Sequence, residues 1–254
     1  MGKNYTMIKK NPLVSVYITN HNYGKYIKKA IDSVLSQTFK DFELIIIDDG
    51  STDNSIKIIN NKKNEKKIIK VFQKNKGLTV TNNLALRLSK GQFIMRLDAD
   101  DWLDTNALRI LSDKLKNNKR IGLVFPDYYE VDNSGKLINL VRRHNFKKVS
   151  LRDQPAHGAC TMIRKECLKK IGGYNEKFDR QDGYYIWIKL IQKYEVANIN
   201  LPLFFYRQHN SSLTKDENKI LKTRSDIINF NANNKLKKKT LAILAVRGFE
   251  INPR

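Results

Sequence analysis

Cysteine is almost absent from this sequence. Cys160 and Cys167 are the only two. They cannot make a disulfide framework, and their spacing matches no zinc-binding pattern. Such low usage fits a reducing compartment. No apolar run approaches the roughly 18 residues of a membrane-spanning helix, and no secretory leader is visible at the start. Internal repeats are missing, as is any long linker before residue 215. No nucleic-acid-binding motif and no interleaved aromatic–basic patch can be found. Acidic residues are scarce relative to basic ones: 25 Asp and Glu stand against 48 Lys and Arg, a formal charge of +23. That imbalance suits an anionic partner such as nucleic acid, an acidic membrane surface or a phosphorylated substrate. The basic residues are dispersed, with the densest runs at 62–70 (KKNEKKIIK) and 235–239 (KLKKK). Solvated faces and compositional bias explain them equally well.

What is present is a core and a rhythm. Hydrophobic residues make up 41% of the chain, enough for one large α/β domain with or without a tail. Residues 13–19 (LVSVYIT) read as a strand, 20–24 as a turn and 26–37 as an amphipathic helix. A second strand at 42–47 ends in Asp48-Asp49-Gly50-Ser51-Thr52-Asp53, before a helix near 56–59. A third strand at 68–72 is followed by a turn at 73–77 and a helix at 78–89. The fourth strand, 93–97, runs into Asp98-Ala99-Asp100-Asp101. Four strand–loop–helix units predict right-handed crossovers and a mostly parallel sheet. Near-continuous apolar strands predict that helices cover both faces. Ligands of such sheets bind beyond the carboxyl ends of the strands, so the tips at 19–23, 48–53 and 98–101 should converge on one crevice.

The second half is less regular. Helices are expected at 106–116, 165–171, 184–194 and 217–230. Strands are expected at 122–126, 196–199 and 203–207, with a strand pair across 128–141 around Asn133-Ser134-Gly135. Residues 155–163 (PAHGACTMI) are rich in small side chains.

Three carboxylates in four positions at 98–101 repel one another unless a cation neutralises them. A hard divalent ion, Mg²⁺ or Mn²⁺, held by one or two carboxylates and substrate phosphates, would do so. A solvated acidic turn capping the next helix is the plainer reading of these four residues alone.

Taken in order, the motifs resemble those of family 2 glycosyltransferases of the GT-A fold over residues 13–214. The carrying residues are 14–20 with Asn22-Tyr23, then 46–53 (IIDDGSTD), then Asn75-Lys76-Gly77 with Asn82-Asn83. They continue with 91–94, 97–103 (LDADDWL), 171–174 (IGGY), Gln181-Asp182 and 206–209 (YRQH) with Ser211-Ser212. The resemblance implies a Rossmann-like sheet, a smaller mixed β region in the second half and a helical C-terminal tail. It places a nucleotide-sugar half at about 1–104 and an acceptor half at about 105–214. It also implies a donor site built from Thr19, Asn20, Tyr23, Asp48, Asp49, Ser51, Lys76, Asp98, Ala99 and Arg207. A carboxylate accepts only, which suits an N–H such as that of uracil, so a UDP-sugar is the favoured donor. Asp98, Asp100 and His209 would hold Mn²⁺ or Mg²⁺, and Arg207 would pair with phosphate. Asp182 matches the catalytic base; its plainer role is to cap the helix that follows. Gln181 departs from the acidic residue usual before that Asp, which removes a like charge beside Asp182. His157, Gly158 and Gln181 fall on the acceptor side. Asp101 is expected to cap a helix.

The implied reaction is an inverting, metal-dependent transfer to a hydroxyl of a glycan or lipid-linked acceptor in surface polysaccharide synthesis. The enzyme would be cytoplasmic or peripheral at the inner face of the membrane. A sugar nucleotidyltransferase is disfavoured, because residues 20–24 (NHNYG) are not the glycine-rich phosphate loop it needs after its first strand. A basic nucleic-acid-binding protein is the non-enzymatic alternative. Residues 215–254 lie beyond the resemblance. They are expected to cover the domain, join a homodimer, or begin a truncated second domain at the apolar run 240–246.

Overall fold

The computed structural model describes residues 11–62, 67–143, 158–209 and 216–233. The sheet begins with four parallel strands: β1 (Val14–Asn20), β2 (Phe42–Asp49), β3 (Ile68–Gln73) and β4 (Phe93–Asp98). Their spatial order is β3-β2-β1-β4. Pairing of Asn20 with Asp48 and of Thr19 with Asp98 sets the polar tips side by side. The crossovers carry α1 (Ile27–Leu35), α2 (Ser55–Asn61) and α3 (Leu78–Leu88).

Strand alternation divides the core into two layers. Val14, Val16 and Ile18 face α1, whose Ile27, Ala30, Ile31 and Val34 recur at helical spacing, and α4 (Ala107–Asn117) closes that side. Tyr17, Ile45 and Ile94 face the other way, onto α3 and onto α6 (Asp182–Ile191). Both faces are therefore dry, which is why the strands read as unbroken apolar runs.

The mixed strands continue the same sheet. β8 (Met162–Arg164) pairs antiparallel with β4 and with β6 (Ile121–Val131), and β9 (Glu195–Arg207) lies on the other side of β6. A two-residue β5 (Trp102–Leu103) pairs with β9, and β7 (Leu137–Val141) forms a hairpin with β6. Helix α5 (Lys165–Lys170) follows β8, and α7 (Glu217–Asn233) closes the described chain.

Several boundaries differ from expectation. The strands expected at 122–126 and 128 onward are one strand, β6; those at 196–199 and 203–207 are likewise one, β9. Pro126 and Pro202 made each look interrupted, and the β6–β9 register does shift at Pro126/Asp127 and Asp127/Tyr128. β8 and β5 were not foreseen. They are too short to show periodicity, and β8 ends a stretch dominated by small residues. In α7, Ile227 and Ile228 are buried but Leu221 is exposed. The run at 235–239 and the apolar stretch at 240–246 lie outside the described residues. Among the described residues, no helix is long and apolar enough to cross a membrane.

Candidate active site

The first wall of the crevice is a hydrogen-bonded frame. Asn20 Nδ2 donates to Asp48 Oδ2 at 2.7 Å and to Ser51 Oγ at 3.0 Å, and Ser51 N donates to Asp48 Oδ1 at 2.9 Å. Asp49 Oδ1 accepts from Gln73 Nε2 (2.7 Å) and Lys76 N (2.9 Å), and its Oδ2 accepts from Gly77 N (2.8 Å). These carboxylates lock the 48–53 turn to the β1 tip and to residues 75–77. Gly50 is required in that turn: its φ is +79°, and a Cβ there would lie 2.6 Å from Asn75 N. Of the residues expected to touch a donor, Asp48 is only 1% exposed and Asn20 2%. Both side chains belong to this frame, and Asn20 Oδ1 is buried without a partner among the described residues. Thr19 and Tyr23 are half-buried at the tip, Ala99 is buried, and the Lys76 side chain is exposed.

The second wall is the acidic tip. Arg96, buried on β4, lies between two carboxylates. Its Nε is 2.8 Å from Asp98 Oδ1, and its Nη1 pairs closely with Asp182 Oδ2. Asn82 Nδ2 donates to the same Asp182 Oδ2 at 3.0 Å. No described residue donates to Asp182 Oδ1. Gly158 makes room for the guanidinium, since a Cβ there would lie 2.9 Å from Arg96 Nη2. Burial is the largest influence on Asp98. Together with the charges of Asp100 and Asp182 it outweighs Arg96 and pushes the carboxyl up to about 6.

Asp101 does not cap a helix. α4 begins at Ala107, and Asp101 is instead buried, its Oδ1 accepting from Arg207 N at 2.9 Å while Oδ2 has no hydrogen-bond partner among the described residues. Burial first, then Asp100 and Asp98, raise its carboxyl well above the usual range.

Asp100 meets His209: Nε2 lies 2.8 Å from Oδ2. Tyr23 packs edge-on against the imidazole, and Tyr26 stacks on it at 5.5 Å. The Arg207 guanidinium is anchored to neighbouring backbone carbonyls. Its Nε donates to Asp100 O, and its Nη1 donates to Asp132 O and Asn133 O. Among the described residues, no group of three His, Cys, Asp or Glu side chains converges as a ready-made cation site. The carboxylates of Asp100 and Asp98, with His209 beside them, nevertheless suit Mn²⁺ or Mg²⁺, which take carboxylate oxygens and complete their shells with water and phosphate oxygens.

Asp182 opens α6, where the helix dipole favours a negative charge. Gln181 precedes it with a left-handed φ of 56°, and its Oε1 accepts from Arg224 Nε at 2.9 Å. His157 lies outside the described residues. Arg96, Asn82, Tyr26 and Arg224 went unremarked as site residues. The available signal was Arg96 itself, a lone charge inside an apolar strand, which must be paired if buried.

A sheet of this order, with its polar tips gathered at one edge around an Asp-Ala-Asp turn, is the GT-A arrangement of a glycosyltransferase. The profile described as "Glycosyl transferase family 2" matches residues 15–172, and the chain belongs to that family. It is 31% identical to the chondroitin synthase of Escherichia coli over 197 residues, 76% of this chain but 28% of that protein. The chain thus spans about a quarter of the length of that first relative. It is 27% identical over 220 residues to the E. coli UDP-Glc:alpha-D-GlcNAc-diphosphoundecaprenol beta-1,3-glucosyltransferase WfgD, covering 85% of each. Among solved structures, S. aureus TarS 1–349 in complex with UDP-GlcNAc superposes with a TM-score of 0.72 at 16% identity, over 88% of this chain and 66% of that one. Mannosyltransferase PcManGT from Pyrobaculum calidifontis, in complex with GDP-Man and Mn²⁺, gives 0.61 at 15% identity, over 87% and 63%.

Proposed function

We propose that the chain transfers a sugar, with inversion, from a UDP-sugar to a hydroxyl of a glycan or lipid-linked acceptor in surface polysaccharide synthesis. The observation that carries this reading is the meeting of Asp98 and Asp182 on Arg96, beside the Asp100–His209 pair. It joins the tip of β4 to the start of α6 at the edge where such sheets bind ligands. The names of WfgD and of the chondroitin synthase support the donor and acceptor classes. The Mn²⁺ bound to PcManGT supports a divalent ion.

Asp182 is the base. Both of its donors among the described residues engage Oδ2, which leaves Oδ1 to accept the acceptor's proton. As that proton leaves, the acceptor oxygen forms its bond to the anomeric carbon, and the bond from that carbon to the diphosphate oxygen breaks on the opposite face. Asp100 and His209, with Asp98 beside them, would hold a divalent cation, which when bound neutralises charge on the leaving diphosphate. Tyr23 and Tyr26 fix the His209 ring for that task.

Thermal shift against UDP-, GDP-, CMP- and dTDP-sugars, with and without Mn²⁺, tests the donor; UDP-sugars should shift the melt only with the ion. Asp182→Asn should lower transfer about 10²–10⁴-fold while UDP-sugar affinity stays unchanged. Wild-type turnover in that variant would remove Asp182 from the role. Absence of a shift with every donor would overturn the reading as a whole.

A further inference from the structure

Next to the Asp100–His209 pair, between α1 and the β6–β7 turn, lies a cavity of about 620 Å³. Its walls carry three cations, Lys25, Lys29 and Arg207. Arg207 is 4% exposed. The Lys29 Nζ lies 3.1 Å from the centroid of the Trp102 ring, and the Arg207 guanidinium lies 4.9 Å from the same centroid. Two cations therefore share one aromatic ring. The Lys29 ammonium has no hydrogen bond or ion pair among the described residues. Burial, then Arg207, hold its ammonium below the ordinary lysine range.

The one acid in the lining, Asp132, is turned to its own loop. Its Oδ1 accepts from Ser134 N, Ser134 Oγ and Lys136 N. Asn133 Oδ1 accepts from the Tyr26 hydroxyl and, at 3.4 Å, from Lys25 Nζ. Like charges gathered around a cavity repel unless an anion joins them, and cationic side chains grip phosphoryl oxygens through charge-assisted hydrogen bonds.

We propose that this cavity binds a phosphoryl group, as monoester or diphosphate, carried by the acceptor. The Tyr26 ring stands between it and the His209 imidazole. That ring stacks on His209 at 5.5 Å and receives the Arg207 guanidinium at 4.7 Å, so the cavity has its own aromatic wall. Its volume falls within the roughly 300–1,000 Å³ of small-molecule sites. Naming the acceptor as carrier rests on the glycosyltransferase reading; binding of the anion does not.

Calorimetry with inorganic pyrophosphate in EDTA decides the site. Lys25→Ala/Lys29→Ala should weaken pyrophosphate binding at least about tenfold, the loss of one charge-assisted contact or more. Lys25→Arg/Lys29→Arg should retain it, and both variants should bind UDP with Mn²⁺ as the wild type does. Equal pyrophosphate affinity in the alanine variant and the wild type would overturn the site. The carrier is decided by steady-state transfer to a diphosphate-linked sugar and to the same sugar without diphosphate. The alanine variant should raise KM for the first and not the second. Equal KM changes, or none, would overturn the acceptor assignment. Failure of transfer in the wild type would count against the glycosyltransferase reading and leave the pyrophosphate result standing.

Discussion

Asp101 is a carboxyl group whose environment opposes its charge. It is buried, its Oδ2 has no partner among the described residues, and it stands beside Asp98 and Asp100. A carboxyl raised in the folded state stabilises the fold fully below its unfolded value, and that contribution is lost as pH rises through the folded value. Asp101→Asn keeps the acceptor for Arg207 N and removes the charge. In EDTA the variant should melt a few degrees higher than the wild type at about pH 8, and the gain should shrink as pH falls toward about 4. Melts at the two pH values check it; a gain independent of pH would refute the electrostatic account. Arg96 is the converse case. Arg96→Met leaves Asp98 and Asp182 without their shared cation and should cost about 3–5 kcal/mol, read by denaturant unfolding. The sequence announced the three carboxylates at 98–101 because charge ending an apolar run is conspicuous. It misplaced Asp101, because the capping role expected of it depended on where α4 starts; the frame that Asn20 and Ser51 complete around Asp48 exists only in three dimensions.

Elements were legible where periodicity ran long. The four parallel strands and helices α1, α3, α4 and α6 fall close to their expected places, because each offers seven or more residues of consistent pattern or a strand between polar tips. β5 and β8 have two and three residues, too few for any period, and only pairing with β9, β4 and β6 defines them. In α7, expected as a helix at 217–230 within a tail that covers the domain or joins a homodimer, Ile227 and Ile228 are buried, but nothing in its pattern pointed to Arg224 gripping Gln181 next to Asp182. A non-glycine residue at positive φ carries about 1–3 kcal/mol of strain, and Arg224 helps hold Gln181 there. Arg224→Ala should therefore lower kcat several-fold and leave KM for the donor unchanged, as steady-state kinetics with saturating acceptor will show. Ile227→Ala, by contrast, should cost about 2–5 kcal/mol of stability. An Arg224→Ala enzyme with wild-type kcat would reduce α7 to a cover for the core.

At the scale of the molecule, the charge of +23 has little to do with the fold, since surface charge governs association more than architecture. Within the site, basic residues are few and committed: Arg96 to two carboxylates, Arg207 to three carbonyls. Most of the excess must lie on the surface, where exposed lysines such as Lys57, Lys76, Lys90 and Lys136 are found. Near an anionic leaflet each basic residue contributes about 1 kcal/mol, and the attraction decays within a Debye length of about 8–10 Å at physiological salt. A lipid-linked acceptor would place the enzyme at such a surface. The protein should therefore sediment with vesicles containing phosphatidylglycerol at about 0.05 M NaCl and be released at about 0.5 M, where screening shortens the reach of the field severalfold. It should ignore phosphatidylcholine vesicles at both. Binding that survives the higher salt would mean that apolar contact, not charge, holds the protein to the membrane. Failure to bind at the lower salt would leave the basic surface to an acidic polymer acceptor, which the same sedimentation assay would detect as competition between polymer and vesicle.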